Sequence, residues 1–139
     1  MRREALARPI AVAIVDDEAS VRVGLRRLCA AFGLSVAVYG SGQEFLDSLA
    51  REGPRPDCLL LDAHMPGMTG LELQEQLRAR GVRFPTVLFT ADDTPEVQAR
   101  YLAAGVAEYL RKPVQGEELL AAIERAVALQ NRGSSAVGP

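Results

Sequence analysis

Residues 58–62 read Cys-Leu-Leu-Leu-Asp, an unbroken apolar run from Cys58 to Leu61 that is followed by an acid. A strand with one face in water alternates apolar and polar residues, whereas a continuous apolar run is typical of a strand buried on both faces in a parallel sheet. Apolar runs of strand length recur at residues 10–15, 34–39, 86–89 and 106–110, and most of the five runs are continuous rather than alternating with polar residues. The sequence therefore predicts five strands in a parallel sheet.

The segments between these runs carry helical signals. The first repeats apolar residues at steps of three and four and then has a glycine placed to end the helix: Val21, Leu25, Leu28, Phe32 and Gly33. The next three segments open with residue pairs typical of helix starts: Ser41 with Glu44, Thr69 with Glu72, and Thr94 with Pro95. The last places three apolar residues on one face: Leu120, Ile123 and Val127. The sequence therefore predicts five helices.

This alternation of strands and helices predicts a doubly wound α/β domain, because right-handed crossovers put helices on both faces of a parallel sheet. In the flavodoxin-like strand order 2-1-3-4-5, the first and third strands are neighbours, and ligands bind outside the carboxyl ends of the strands. We expect the domain to span residues 10–129. Residues 1–9 would form an N-terminal tail, and residues 130–139 a flexible tail or the start of a linker.

Composition excludes several classes of protein. The chain has 139 residues, of which 48% are hydrophobic and 24% charged, so it is not a disordered chain. Its net charge of -2 lacks the basic surface that direct nucleic-acid binding requires. No apolar run reaches the ~20 residues of a membrane span, and no secretory signal is present, so we expect a cytoplasmic protein. Cys29 and Cys58 are expected to be small buried hydrophobes.

Polar residues follow the carboxyl ends of four runs: Asp16 and Asp17, Asp62, Thr90 and Lys112. Three carboxylates at one sheet edge repel one another, at a cost on the order of 4 kcal/mol for each pair ~4 Å apart. Carboxylates without His or Cys partners suit Mg²⁺, which leaves coordination positions open for a phosphate oxygen. Lys112, the single lysine of the chain, suits a phosphoryl oxygen as a point charge. The pattern therefore indicates phosphoryl chemistry.

These residues occur with two longer motifs, Leu-Leu-Asp-Ala-His-Met-Pro-Gly-Met-Thr-Gly at 60–70 and Tyr-Leu-Arg-Lys-Pro at 109–113. The ordered set resembles the receiver domain of two-component response regulators over about residues 8–129. The spacing is also receiver-like, with 45 residues from Asp17 to Asp62, 28 from Asp62 to Thr90 and 22 from Thr90 to Lys112.

The resemblance implies that Asp62 is the phosphoacceptor, which attacks the phosphohistidine of a sensor histidine kinase to form an acyl phosphate. It also implies that Mg²⁺ binds directly to Asp17, Asp62 and the backbone carbonyl of His64, and to Asp16 more through water. A metal role for the His64 side chain is not expected.

The resemblance further implies that Lys112 contacts the phosphoryl group and that the Lys112–Pro113 peptide is cis. Thr90 would move inward to bond a phosphoryl oxygen, and Tyr109 would follow by rotating from exposed to buried. Each of these two residues also has a plainer interpretation: Thr90 could cap the end of a strand, and Tyr109 could be a half-exposed aromatic residue on a strand.

The stretch from Tyr39 to Leu46 and the Met65–Met68 loop resemble the branch of receivers usually joined to a LuxR-type helix-turn-helix domain. We therefore expect an output in transcription, with the alternative of a stand-alone receiver or a phosphorelay intermediate. Phosphorylation is expected to drive homodimerisation through the fourth helix and fifth strand, including Pro95, Val97, Tyr101 and Tyr109.

Two further functions compete with this interpretation. An Asp-nucleophile, Mg²⁺-dependent phosphatase of the haloacid-dehalogenase type uses similar groups, but it needs a second acid two positions after its nucleophile, where this chain has His64. A degenerate receiver that only binds proteins would lack chemical residues, whereas each chemical position is filled here. We therefore expect a regulatory phosphoacceptor that transfers and hydrolyses only its own phosphoryl group, not an enzyme with an external substrate.

Overall fold

The structure, a computed structural model, describes residues 8–51, 53, 55–91 and 94–137. Along these residues five strands alternate with five helices. The strands are β1 (Ala11–Val15), β2 (Ser35–Tyr39), β3 (Cys58–Asp62), β4 (Thr86–Thr90) and β5 (Glu108–Arg111). The helices are α1 (Ala19–Ala31), α2 (Gly42–Leu49), α3 (Gly70–Ala79), α4 (Pro95–Ala103) and α5 (Gly116–Val137).

The five strands form one parallel sheet in the order β2-β1-β3-β4-β5, which confirms the predicted fold class. In the register of the sheet, Val15 pairs with Leu61, Asp62 with Phe89 and Thr90 with Arg111. The carboxyl ends of β1, β3, β4 and β5 therefore meet along one edge.

Each face of the sheet has its own apolar core. On one side, residues of β1, β3 and β4 pack with α1 and α5, through side chains that include Ile14, Leu25, Leu60, Phe89 and Ile123. On the other side the same strands pack with α2, α3 and α4, through side chains that include Val15, Phe45, Leu61, Leu73 and Leu88. Strands covered on both faces explain why their sequences are continuously apolar.

Helix starts follow the sequence signals with one difference. Thr69 and Glu72 form a reciprocal capping box at α3, and the Thr94 side chain accepts the Val97 N–H at α4. At α2, the Ser41 side chain accepts the Glu44 N–H at 3.1 Å, but the Glu44 carboxylate accepts the N–H of Gly40 instead of that of Ser41. The second predicted box is therefore only half formed.

The boundaries of the last two elements differ from the sequence prediction. The Val106 N–H closes the end of α4 by donating to the Tyr101 carbonyl at 3.2 Å, so β5 begins at Glu108 and not at 106. The buried face of α5 contains Leu119, Ile123 and two alanines, whereas Leu120 is only half-buried. The prediction from bulky residues placed the buried face of α5 too far toward Leu120, because it did not count the small alanines that also face the core.

The backbone of α5 continues to Val137, which enters the 130–139 stretch that the sequence predicts as a tail or linker. The domain boundary at residue 129, with a tail or the start of a linker after it, stays a prediction. The predicted N-terminal tail lies outside the described residues except for Arg8 and Pro9.

Three further predictions about buried and membrane-spanning residues can be compared with the structure. Cys29 and Cys58 are fully buried, and burial raises the pKa of their thiols to about 11 and about 12. Tyr101, predicted as part of a docking face, is only 8% exposed because it belongs to the apolar core on the α2, α3 and α4 side of the sheet. None of the helices in the described part of the chain is long and apolar enough to cross a membrane.

Candidate functional site

The three carboxylates that the sequence places at strand ends lie together. Asp16 and Asp17 follow β1, Asp62 ends β3, and one carboxylate oxygen from each lies within 4.8 Å of the others. Asp16 and Asp62 are buried, at 1% and 3% exposure, whereas Asp17 is exposed. The group therefore forms an acidic site that opens to solvent on the Asp17 side.

Lys112 supplies the positive charge of this acidic site. Its Nζ lies 3.1 Å from Asp62 Oδ1 and 3.8 Å from Asp16 Oδ2. The Lys112–Pro113 peptide is cis, as predicted, and the Lys112 N–H donates to the Thr90 carbonyl at 2.9 Å. One ammonium thus faces two buried carboxylates, so the charge at the site is only partly compensated.

Asp16 carries the largest part of that imbalance. One oxygen accepts the Glu18 N–H at 2.9 Å, while the other, Oδ2, is buried without a hydrogen-bond donor among the described residues. Burial raises the pKa of Asp16 above its ordinary value, and the neighbouring charges of Asp62 and Asp17 act in the same direction. The Glu18 N–H and Lys112 oppose them.

The turn after β3 brings α3 against the acidic site. The Gly70 N–H donates to the Ala63 carbonyl at 3.1 Å, and a Cβ at Gly70 would lie 2.7 Å from the backbone oxygen of Asp62. Only glycine allows this approach. The His64 N–H lies 3.4 Å from Asp62 Oδ1, and the His64 side chain is exposed.

Thr90 and Tyr109 lie on the strands next to the acidic site. Thr90 ends β4 and is fully buried, and its backbone carbonyl holds the Lys112 N–H. Tyr109, on β5, is half-buried and packs against the core on the α4 side. The sequence-predicted residues thus share one end of the sheet, with Thr90 nearer the acids and Tyr109 at the edge strand.

The donor set fits the predicted Mg²⁺. Its side-chain donors are all carboxylate oxygens, the ligands that this hard cation prefers. The ion would compensate the charge of the buried Asp16 Oδ2, which lacks a hydrogen-bond donor among the described residues. It would reach the site from solvent on the exposed Asp17 side.

Two residues near the acidic site were missed in the sequence. Gly70 follows the capping residue Thr69, and a glycine at the first position of a helix is a signal that could have been used. Arg22 donates from Nη1 to the backbone oxygen of Asp16 at 2.7 Å. It is one of fifteen arginines, and nothing in the sequence distinguishes it.

Comparison with known proteins identifies the family. Residues 12–124 match the response regulator receiver domain. The chain belongs to this family. The receiver match covers the acidic site and Lys112, and response regulators recur among the similar proteins.

Among curated proteins, the chain is similar to the response regulator MprA of Mycobacterium sp. (strain KMS), with 41% identity over 131 residues. The aligned residues cover 94% of this chain and 55% of that protein. The chain is 44% identical over 109 residues to MprA of Mycobacterium leprae (strain TN), which covers 78% and 47%. The chain therefore spans about half the length of the curated relatives it matches.

Among solved structures, a response regulator receiver protein from Burkholderia phymatum has 40% identity and a TM-score of 0.76, covering 87% of this chain and 96% of that one. The response regulator StyR has 40% identity and a TM-score of 0.79, covering 91% and 63%. The finer prediction, a branch joined to a LuxR-type helix-turn-helix, is not supported by the matched relatives.

Proposed function

We propose that this receiver accepts a phosphoryl group on Asp62 from the phosphohistidine of a sensor histidine kinase. The observation that carries the proposal is the acidic site itself, with the Lys112 ammonium 3.1 Å from Asp62 Oδ1 and two further carboxylates alongside. Membership of the receiver family supports the same role.

The transfer is a displacement at phosphorus. A carboxylate oxygen of Asp62 attacks, the P–N bond breaks with its electron pair on the imidazole nitrogen, and an acyl phosphate forms. Asp17, Asp62 and the His64 carbonyl would hold Mg²⁺, with Asp16 acting more through water, and the ion would neutralise charge on the transferred group. Lys112 would hold a phosphoryl oxygen, because its ammonium already faces the acceptor.

The readout of phosphorylation would pass through β4 and β5. Thr90 would bond the phosphoryl group, and Tyr109 would rotate inward with it. The Lys112 N–H bond to the Thr90 carbonyl supports this coupling, because it ties the end of β4 to the lysine. Homodimerisation would use the face of α4 and β5 that carries Pro95, Val97 and Tyr109, and Tyr101 would support that face from the core.

The output would be control of transcription through a further domain, as the length of the relatives supports. The net charge of -2 argues against direct nucleic-acid binding by this chain. Family membership supports a cytoplasmic location.

Labelling of the whole chain tests the acceptor. Incubation with Mg²⁺ and either acetyl phosphate or the kinase is expected to add one phosphoryl group to the wild type and none to Asp62→Asn, as measured by intact mass. The matched control is Asp47→Asn, which removes an exposed carboxylate on α2 and should label like the wild type. Labelling that persists in Asp62→Asn, or a wild type that neither donor labels, contradicts the proposal.

Sedimentation of beryllofluoride-treated chain tests the dimer, and a mass that stays monomeric contradicts it.

A further inference from the structure

Arg22 lies beside the acidic site and binds the backbone of Asp16 through its guanidinium. It is four residues into α1, and its Nη1 donates to the backbone oxygen of Asp16 at 2.7 Å, a short charge-assisted bond. A cation near the N-terminus of a helix is opposed by the helix dipole. The bond to Asp16 offsets that unfavourable position.

The same guanidinium also packs on the neighbouring turn. A Cβ at Gly40, between β2 and α2, would lie 3.4 Å from Arg22 Nη1 and 3.3 Å from Glu44 Oε2. The Gly40 N–H in turn donates to Glu44 Oε1 at 3.0 Å. Arg22 and Glu44 therefore close over Gly40 from two helices, and the missing side chain leaves the room that they occupy.

The backbone of Asp16 is consequently held at both of its polar atoms. Its N–H donates to the Tyr39 carbonyl at the end of β2 at 3.1 Å, and its oxygen accepts from Arg22. The carboxylates of Asp16 and Asp17 project from this turn toward Asp62, and their mutual repulsion pushes the turn away from β3. Arg22 resists that displacement while leaving the carboxylate oxygens available.

We propose that Arg22 is a positioning residue for the acidic site, which fixes the turn carrying Asp16 and Asp17 against the Gly40 turn so that Mg²⁺ meets preformed ligands. The inference rests on the proposed function, because it concerns the same site. Groups that orient metal ligands in this way commonly change affinity about 10-fold to 100-fold when they are removed. Since Arg22 holds the backbone and not a ligand atom, the lower end of that range is expected.

The test measures binding of Mg²⁺ alone to the whole, unphosphorylated chain by titration calorimetry. Arg22→Ala is expected to weaken Mg²⁺ affinity about 10-fold, and Arg22→Lys to recover part of the loss because it keeps a cationic donor. Arg26→Ala, which removes an exposed arginine from the same helix, should bind like the wild type. The backbone amide resonances of Asp16 and Asp17 are expected to broaden in metal-free Arg22→Ala, a local change that a general loss of stability does not produce.

A second variant covers failure of Arg22→Ala to fold. Gly40→Ala retains each polar group but crowds the guanidinium, so it should weaken Mg²⁺ affinity in the same direction and by less. Unchanged Mg²⁺ affinity in Arg22→Ala overturns the inference, and normal labelling of Asp62 in that sample leaves the proposed function standing. A wild type that neither binds Mg²⁺ nor accepts a phosphoryl group overturns both.

Discussion

Among single residues, Asp57 shows how one carboxylate outside the acidic site joins two parts of the chain. Its carboxylate accepts hydrogen bonds from both terminal nitrogens of Arg8, at 2.7 and 3.0 Å, and from the Ala11 N–H, at 2.8 Å. These contacts connect the start of β1 to the segment before β3. The hydrogen bond from Arg8 is the main reason that the pKa of Asp57 lies below its ordinary value, and the Ala11 N–H lowers it further.

The depressed pKa gives a pH-dependent prediction for Asp57→Asn. The carboxylate stabilises the fold fully above the pKa it has when unfolded, and the stabilisation is lost as pH falls through the lower folded pKa. Asp57→Asn should therefore lower the urea midpoint of unfolding at neutral pH, and this deficit should shrink as pH falls through the lowered pKa that Asp57 has in the folded chain. Urea unfolding from neutral to acidic pH measures the difference. Asp47→Asn, which replaces an exposed carboxylate on α2, controls for the general effect of an Asp-to-Asn change. An Asp57→Asn deficit that stays constant in acid contradicts the explanation.

Strand ends made the central residues of the acidic site predictable. Asp16 and Asp62 each follow or end an apolar strand, Lys112 follows the last strand, and parallel strands bring such ends together. The ties that hold them were not predictable in this way. Arg22 and Arg8 act through neighbours that only the folded chain brings close, and arginine is too common in this sequence to mark either one.

At the scale of elements, the approach of α3 to β3 depends on Gly70. A Cβ there would lie 2.7 Å from the Asp62 carbonyl oxygen and 3.1 Å from the Ala63 Cα, and backbone atoms cannot give way as a flexible side chain can. Gly70→Ala should destabilise the fold by about 1–3 kcal/mol through overpacking, measured by urea unfolding. Gly24→Ala is the matched control, because nothing lies within 4 Å of its Cβ position in α1.

The two substitutions should change the free energy of unfolding in opposite directions. Removing a flexible glycine from a helix interior should make Gly24→Ala more stable by about 0.5–1 kcal/mol. A Gly70→Ala variant as stable as Gly24→Ala would show that α3 can withdraw from β3 without cost. That outcome would also weaken the role we assign to the turn after Asp62.

Elements were predictable where a single force dominates. Burial on both faces makes β1 and β3 continuously apolar, and Thr69 with Glu72 marks a helix start by local hydrogen bonds. The start of β5 was misplaced because the end of α4 takes up Val106, a contact between two elements. The face of α5 was misplaced because alanines pack against the sheet alongside leucine and isoleucine.

For the whole molecule, the acidic site opposes folding while it serves function. Buried Asp16 and Asp62 share one ammonium, and Asp16 Oδ2 lacks a hydrogen-bond donor within the described ranges. Sites of this kind are held in place by stability gained elsewhere, here by the two apolar cores. The chain without metal should therefore be less stable than its core would allow, and a bound divalent ion should restore the difference.

Asp16→Asn separates these two contributions. In excess chelator it should raise the stability by about 1 kcal/mol, or roughly 3 °C in unfolding temperature, because the amide removes a buried charge and can still accept the Glu18 N–H. Mg²⁺ at about 100 times its Kd should stabilise the wild type by about 2.7 kcal/mol and the variant by much less. Thermal unfolding of both proteins with chelator and with Mg²⁺ gives the four values required. A variant less stable than the wild type in chelator would mean that the Asp16 bonds outweigh the repulsion, and the acidic site would then not be a source of instability.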